Sequence, residues 1–445
     1  MTIINKKEPI LLGFGDIIVL VISLYLTLFV RSWSLPSASL IGVLAFPFSI
    51  IFIYSILVFY VSGLYGRMIS IARSSIPGSI VGSQVFSGIV AVVLFYFVAG
   101  FSVAPKTILF IYLIVSTILL IVWRVATYPI LSLQKKYPAL VIGSGSEMQE
   151  VVREMNLTSR IGLYCEREID PANVKDLMLP AAESNADFRY IVADMNNPHL
   201  EGLLPELYRH FFPKAQIIDL HELYEEMFNK IPLSCMNYAW IMSNINAASS
   251  KTYDILKRLM DIFFGIVVGL AACIAYPFIA IAIKMEGGGP VFILQERIGR
   301  NNVPIHIYKF RSMTRNDRGK WLPETDNENK VTRVGRFIRK TSIDELPQAL
   351  AFLKGDMSLI GPRADIVDLG KRLEQEIPYY PIRTVITPGL TGWAQINQEK
   401  PPQSVEESRL RLSYDLYYIK HRSFGLDVRI VLRTIKTLFS RIGMQ

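Results

Sequence analysis

Between Thr341 and Arg363, two adjacent carboxylates, Asp344 and Glu345, stand ahead of a short apolar run. Arg339 precedes them, and Arg363 follows after a Gly361-Pro362 turn. Carboxylates can hold a metal or act as nucleophiles, and guanidinium groups pair with oxyanions. The segment therefore has a layout for handling a phosphate. Ser342-x-x-Glu345 also has capping-box spacing, which is the bland alternative for the pair. Pro347 suits the first position of a helix and Gly355 the position just past its end. That puts the carboxylates just outside a helix N-terminus, where backbone amides and the dipole favour negative charge.

The elements that must position these residues begin with a membrane part. The chain has 445 residues, 51% of them hydrophobic, and a mean hydropathy of +0.33. That length allows two or three domains, and the apolar balance points to membrane spans. A formal charge of +9 suits anionic lipid headgroups or phosphorylated substrates; in so apolar a chain it argues against nucleic acid. Cys165, Cys235 and Cys273 lack the spacing of a zinc site or a disulfide framework. No cleavable signal peptide is expected, because the first apolar run is long and lacks a small-residue cleavage pattern. Four runs, Leu11 to Val30, Leu40 to Val61, Ile80 to Phe101 and Ile108 to Ile130, each approach the roughly 20 residues that cross a bilayer. Lys6, Lys7, Arg67, Arg73, Lys135 and Lys136 flank them on one side, and only Arg31 and Lys106 on the other. The positive-inside rule then places the N-terminus and everything after the fourth run in the cytoplasm.

From Tyr137 the composition turns polar. Ala139-Leu-Val-Ile reads as a buried strand entering Gly143-Ser-Gly145-Ser and a helical stretch through Met155. Tyr190 to Asp194 and Gln216 to Leu220 read as later strands. Alternating strands and helices predict a parallel, Rossmann-type sheet. Met148 stands where the third glycine of a dinucleotide fingerprint belongs, so a structural or nucleotide-sensing module is expected in preference to a bound dinucleotide. Asp261 to Ile283 is a fifth apolar run, interrupted by Pro277. Lys257 and Arg258 precede it, and Lys284, Arg297 and Arg300 follow, so both ends favour the cytoplasm. Proline removes a helical hydrogen bond and kinks the helix, and the reading is a re-entrant helical hairpin.

Several ordered blocks accompany these features: Lys257-Arg-Leu-Met-Asp261, Gly289 to Gly299, Lys309-Phe-Arg311-Ser-Met313, Gly335 to Arg339, Pro388 to Asn397 and Tyr414 to Tyr418. With the Asp344-Glu345 segment, they make residues 252–443 resemble the bacterial sugar transferases, membrane enzymes that move a sugar 1-phosphate from a nucleotide sugar onto polyprenyl phosphate. Two departures stand out: Tyr276 precedes the proline where many relatives have serine, and Gln398-Glu399 stands where relatives often have Gly-Arg.

The resemblance implies that Asp344 attacks the β-phosphate of a UDP-hexose, releasing UMP and leaving a phosphosugar–aspartyl intermediate. Undecaprenyl phosphate then takes the sugar phosphate, with Glu345 as general base or orienting partner. A diphosphate opposite an aspartate needs its charge neutralised, and Mg2+ with Asp344 as first ligand is expected. Lys309, Arg311, Arg339 and Arg363 are expected to contact phosphate, and Asp415 to help bind substrate or metal; the bland reading of Asp415 is an exposed residue on a Tyr-rich helix. Trp393 reads equally as core or interfacial anchor. Val428, Val431, Leu432, Ile435, Leu438 and Phe439, interleaved with Arg429, Arg433, Lys436 and Arg441, suit a helix lying on anionic lipid or packed on its own domain.

The expected architecture is a membrane protein of three parts: a four-helix transmembrane bundle (1–136), a Rossmann-like α/β module (137–249), and an α-rich monotopic catalytic domain (250–445) with its re-entrant hairpin at 259–284. The resemblance places it as a multi-pass homodimer in the bacterial inner membrane, with both later parts cytoplasmic. Sugar specificity is expected in the loop from Asn316 to Asn329. Two rival functions share some of these features. A membrane-bound nucleotide-sugar dehydratase or epimerase needs the missing glycine, although Tyr253-x-x-x-Lys257 has the required spacing. A catalytically dead scaffold or nucleotide sensor is opposed by the intact Asp344-Glu345 pair.

Overall fold

The computed structural model describes residues 7–61, 64–65, 80–85, 87–88, 91–92, 106–132, 136–157, 162–172, 188–195, 197–202, 205, 215–234, 236–245, 250–287, 289–314, 330–398 and 400–443. They fall into two compact units, Met1–Met227 and Phe228–Gln445.

In the first unit, helices α1 (Lys7–Ser32), α2 (Ala38–Val61) and α3 (Lys106–Ser132) are apolar nearly throughout. Leu20, Phe48, Phe59, Tyr112 and Leu120 are buried among them, while Phe14, Phe46, Ile53, Phe110 and Ile118 remain exposed. Exposing so many large apolar side chains is costly in water and costs nothing in lipid. Inside the bundle Arg124 donates to Asp16 and, at 2.9 Å, to the Leu64 carbonyl, while the Tyr65 hydroxyl donates to Asp16 at 2.6 Å. Charges buried in an apolar bundle are tolerable only when they answer one another in this way. The run Ile80 to Phe101, read as the third span, lies largely outside the described residues, as does the loop from Asn316 to Asn329.

The same unit carries strands β1 (Tyr137–Ile142), β2 (Leu163–Ile169), β3 (Tyr190–Ala193) and β4 (Gln216–Asp219). They form a parallel sheet in the order β2-β1-β3-β4. β1 sits in its interior, and Ala139 to Ile142 are all buried. Gly143 leads into α4 (Ser146–Leu157). A Cβ at Gly143 would lie 2.9 Å from the Met148 sulfur, so the residue at the third-glycine position packs back under the first.

In the second unit, Ile231, Met236, Trp240 and Ile241 join the core around Trp393, Leu412, Leu416 and Ile430. These residues therefore pack with the second unit, which begins at Phe228. Helix α5 (Lys251–Gly287) runs without interruption through Pro277. One side of it packs on the unit at Asp261, Gly265, Ile279 and Ile283, while Phe263, Leu270, Ile274, Phe278 and Ile281 stay exposed. Only 11% of its most apolar window is buried. Among the described residues, four helices are long and apolar enough to cross a membrane, and α5 is one of them. The fold is that of a membrane protein with a parallel sheet.

Strands β5 (Phe292–Ile298) and β6 (Pro304–Phe310) form an antiparallel hairpin. Helix α6 (Arg333–Lys340) leads through a 3-10 turn (Ile343–Gln348) into α7 (Ala349–Lys354). Strand β7 (Ser358–Ile360) pairs in parallel with β8 (Gly389–Thr391). Helices α8 (Val405–His421) and α9 (Phe424–Gly443) close the unit.

Candidate functional site

Asp344 and Glu345 occupy the 3-10 turn, and Gly355 ends α7 in the left-handed conformation (φ 92°). The carboxylates thus stand just ahead of α7, but not through a capping box. Ser342 is itself left-handed (φ 57°), and its side chain makes no capping bond. Ile343 and Leu346 on the same turn pack against Ile279 and Ile283 of α5 and Phe310 of β6, which ties the carboxylates to both elements.

Lys309, near the end of β6, donates to Glu345 Oε1 at 2.9 Å. Arg363, just past β7, donates to the same oxygen at 2.7 Å. Burial alone would raise the Glu345 pKa, but Arg363 and Lys309 overcome it and hold the carboxyl at about 2. Glu345 in turn raises the pKa of Arg363. Asp344 is buried and goes the other way: desolvation first, then the charge of Glu345, push it up to about 6 against the pull of Lys309 and Arg339. The structure therefore gathers Lys309, Arg339, Asp344, Glu345 and Arg363 into one place.

It does not gather Arg311 or Asp415 there. The Arg311 guanidinium lies over Gly289 (φ 88°) and donates to the Met313 and Thr314 carbonyls at 3.0 and 2.5 Å. Asp415 is not an exposed helix residue; it is 1% exposed and accepts from Arg383 at 3.0 Å. Pro277 lies inside α5, where the preceding Tyr276 ring stacks on Phe292 at 5.5 Å. Trp393 is core, with Arg429 and Arg433 of α9 over its ring. That contact places this face of α9 on its own domain.

Three residues read as flanking charges or as a block opener turn out to be anchors. Lys257 donates to the Ile360 carbonyl at 2.9 Å and pairs with Asp427 at 3.2 Å. Arg258 donates to the last carbonyls of α7, Phe352 and Leu353, both at 2.7 Å. Asp261 accepts from the Ser358 hydroxyl and the Leu359 amide. Tyr253 bonds to Asp427 alongside Lys257, so the Tyr-x-x-x-Lys spacing serves a buried knot in this unit. Arg383 was missed. Its signal is a lone cation within the largely apolar stretch from Ile377 to Ile386, which demands buried partners.

Among the described residues no cluster of three or more His, Cys, Asp or Glu could hold a metal. Of the two adjacent carboxylates, Glu345 is engaged by Lys309 and Arg363, which leaves Asp344 as the one whose chemistry could ligate a divalent ion.

The family model described as "Bacterial sugar transferase" matches residues 252–441. An Aeromonas hydrophila protein named UDP-N-acetylgalactosamine-undecaprenyl-phosphate N-acetylgalactosaminephosphotransferase is 36% identical over 263 residues, covering 57% of this chain and 59% of that protein. The UDP-glucose:undecaprenyl-phosphate glucose-1-phosphate transferase of Escherichia coli K12 is 37% identical over 218 residues, 48% of this chain and 45% of that one. An enzyme of the same name from Caulobacter vibrioides is 38% identical over 192 residues, 42% of this chain and 71% of that one. The chain thus spans about half the length of the first two relatives and most of the third. Matched by the family model over residues 252–441 and similar to such a relative across 71% of its length, the chain belongs to the bacterial sugar transferase family.

Proposed function

We propose that this protein transfers a sugar 1-phosphate from a UDP-sugar to undecaprenyl phosphate, the first membrane step in building a polysaccharide or other glycoconjugate. The observation that carries this reading is the pair of cations on one oxygen of Glu345 beside a buried Asp344. In the first half-reaction a carboxylate oxygen of Asp344 attacks the sugar-bearing phosphorus, and the bond to the bridging oxygen breaks, releasing UMP. In the second, a phosphate oxygen of the polyprenyl acceptor attacks that phosphorus and the Asp344 carboxylate leaves. Lys309, Arg339 and Arg363 neutralise the diphosphate and orient it for in-line attack.

Glu345 is the orienting partner. Held at about 2, it is too weak a base to take a proton near neutrality, and as a permanent anion it fixes where Lys309 and Arg363 point. The acceptor needs little help, since a phosphate monoester loses its second proton near pH 6. Mg2+ bound to substrate oxygens and Asp344 would supply further charge neutralisation.

Helix α5 is proposed to enter the membrane without crossing it. Support comes from contacts with the same unit near both ends: Lys257 and Asp261 reach β7, while Glu286 accepts from the amides of Arg333 and Val334 at the start of α6. The parallel sheet with a Gly-Ser-Gly loop after β1 supports a Rossmann-like module. The flanking lysines and arginines support a cytoplasmic site at the inner membrane, where anionic lipids and a second copy of the chain are the expected partners.

The deciding assay follows label from a panel of UDP-sugars into undecaprenyl phosphate with Mg2+, using wild type and Asp344→Asn. Transfer from one sugar, abolished in the variant, supports the reading. Undiminished transfer by the variant removes the aspartyl intermediate.

A further inference from the structure

Four consecutive carbonyls fix the backbone around Arg363. Pro362 accepts from the Gly389 amide at 2.9 Å and Arg363 from Arg383 Nη2 at 2.9 Å. Ala364 accepts from Arg297 Nη1 at 3.2 Å and Asp365 from the Ile298 amide at 2.9 Å. Arg383 is 4% exposed and does more than hold that one carbonyl. Its Nη1 donates to Asp365 Oδ2 and to the Tyr380 hydroxyl, and its Nε and Nη2 meet Asp415 Oδ2 at 3.0 and 2.8 Å. Arg411 lies 3.7 Å from Asp365. Two guanidiniums and two carboxylates balance inside this knot, and Asp415 has no exposed oxygen face to offer a ligand.

We propose that Arg383 is the positioning residue that holds Arg363 against Glu345, and that Asp415 acts on the reaction through Arg383 without touching substrate or metal. This rests on the transfer reaction proposed above. A planar guanidinium can serve Asp365, Asp415, Tyr380 and the Arg363 carbonyl together; a lysine ammonium in the same place cannot. Freed at its carbonyl, Arg363 would shift relative to the diphosphate, and a misplacement of about 1 Å costs on the order of 100-fold in rate.

The test is a pair of double-mutant cycles on the purified full-length chain, read as kcat/KM for transfer and as Kd for UDP. Arg383→Lys and Asp415→Asn should each lower kcat/KM by about 30- to 100-fold. In an Arg363→Lys background the further loss should shrink to less than about 3-fold, because the group they position is already compromised. Losses that multiply in the double variants would overturn the proposal and assign Arg383 a direct contact, since its side chain also lines an open cleft with Arg363, Asp365 and Tyr380. Should Arg383→Lys fail to fold, Tyr380→Phe removes one hydroxyl from the knot and is cycled against Arg363→Lys in the same way. A wild type that transfers no sugar while UDP binding still couples these residues would sink the reaction and keep the positioning. An active wild type with no coupling would sink the positioning alone.

Discussion

Asp344 and Glu345 are joined by one peptide bond, yet Asp344 is pushed up to about 6 and Glu345 held at about 2. The difference comes from what faces each: two cations meet Glu345 Oε1 directly, whereas Asp344 is buried with an anion as its next neighbour. In the proposed reaction the two acidic residues therefore take two roles, a nucleophile with near-neutral basicity and a fixed anion that organises cations.

The first consequence is a pH dependence. Attack requires the Asp344 carboxylate, so the rate of UMP release without acceptor should fall about tenfold per unit as pH drops below about 6. Omitting the acceptor keeps its own phosphate titration out of the profile. A profile flat down to pH 5 would remove Asp344 as the attacking group.

Asp344→Asn should abolish transfer and make the protein more stable at neutral pH. The folded pKa lies above the unfolded value of 3.8, so the native state binds the proton more tightly. The destabilisation from the carboxylate is absent below pH 3.8 and complete above about 6, reaching about 2–3 kcal/mol as an upper bound. Thermal unfolding in detergent at pH 7.5 and pH 4 checks this: the stabilisation by the variant should be present at the first pH and largely gone at the second.

Glu345→Gln should be destabilising. Its folded pKa lies below the usual 4.5, so its contribution is present above pH 4.5 and lost as pH falls toward 2. Removing the anion leaves Lys309 and Arg363 facing each other, at a cost of roughly 3 kcal/mol. Transfer should drop by about 100-fold, because the cations lose their common anchor. A variant with wild-type melting temperature and turnover would show that this triad is not formed.

Ser342 holds a left-handed conformation (φ 57°) at the turn into the Asp344-Glu345 segment. A side chain there costs about 1 kcal/mol or more. Ser342→Gly should retain activity at equal or slightly higher stability, whereas Ser342→Val should lose about 1–2 kcal/mol and much of the activity. Equal melting temperatures for the two variants would contradict this backbone geometry.

Much of the fold was legible in local pattern. The long apolar runs correspond to α1, α2 and α3, and the β-branched runs to β1, β3 and β4. β2 was not, because Glu166, Arg167 and Glu168 sit exposed on an edge strand whose residues need not be apolar. The phosphate-handling residue types were legible as well, as ordered blocks. Only the tertiary structure decided which of them meet. Lys309 and Arg363 lie 36 and 18 residues from Glu345 and converge on one oxygen, while Arg311 and Asp415, equally promising by type, bond elsewhere. The sequence by itself determined where the chain is apolar enough for lipid and which groups carry charge. The fold decided which charges are buried together, and with that their proton affinities, because desolvation and Coulomb interaction depend on distances that residue spacing does not encode.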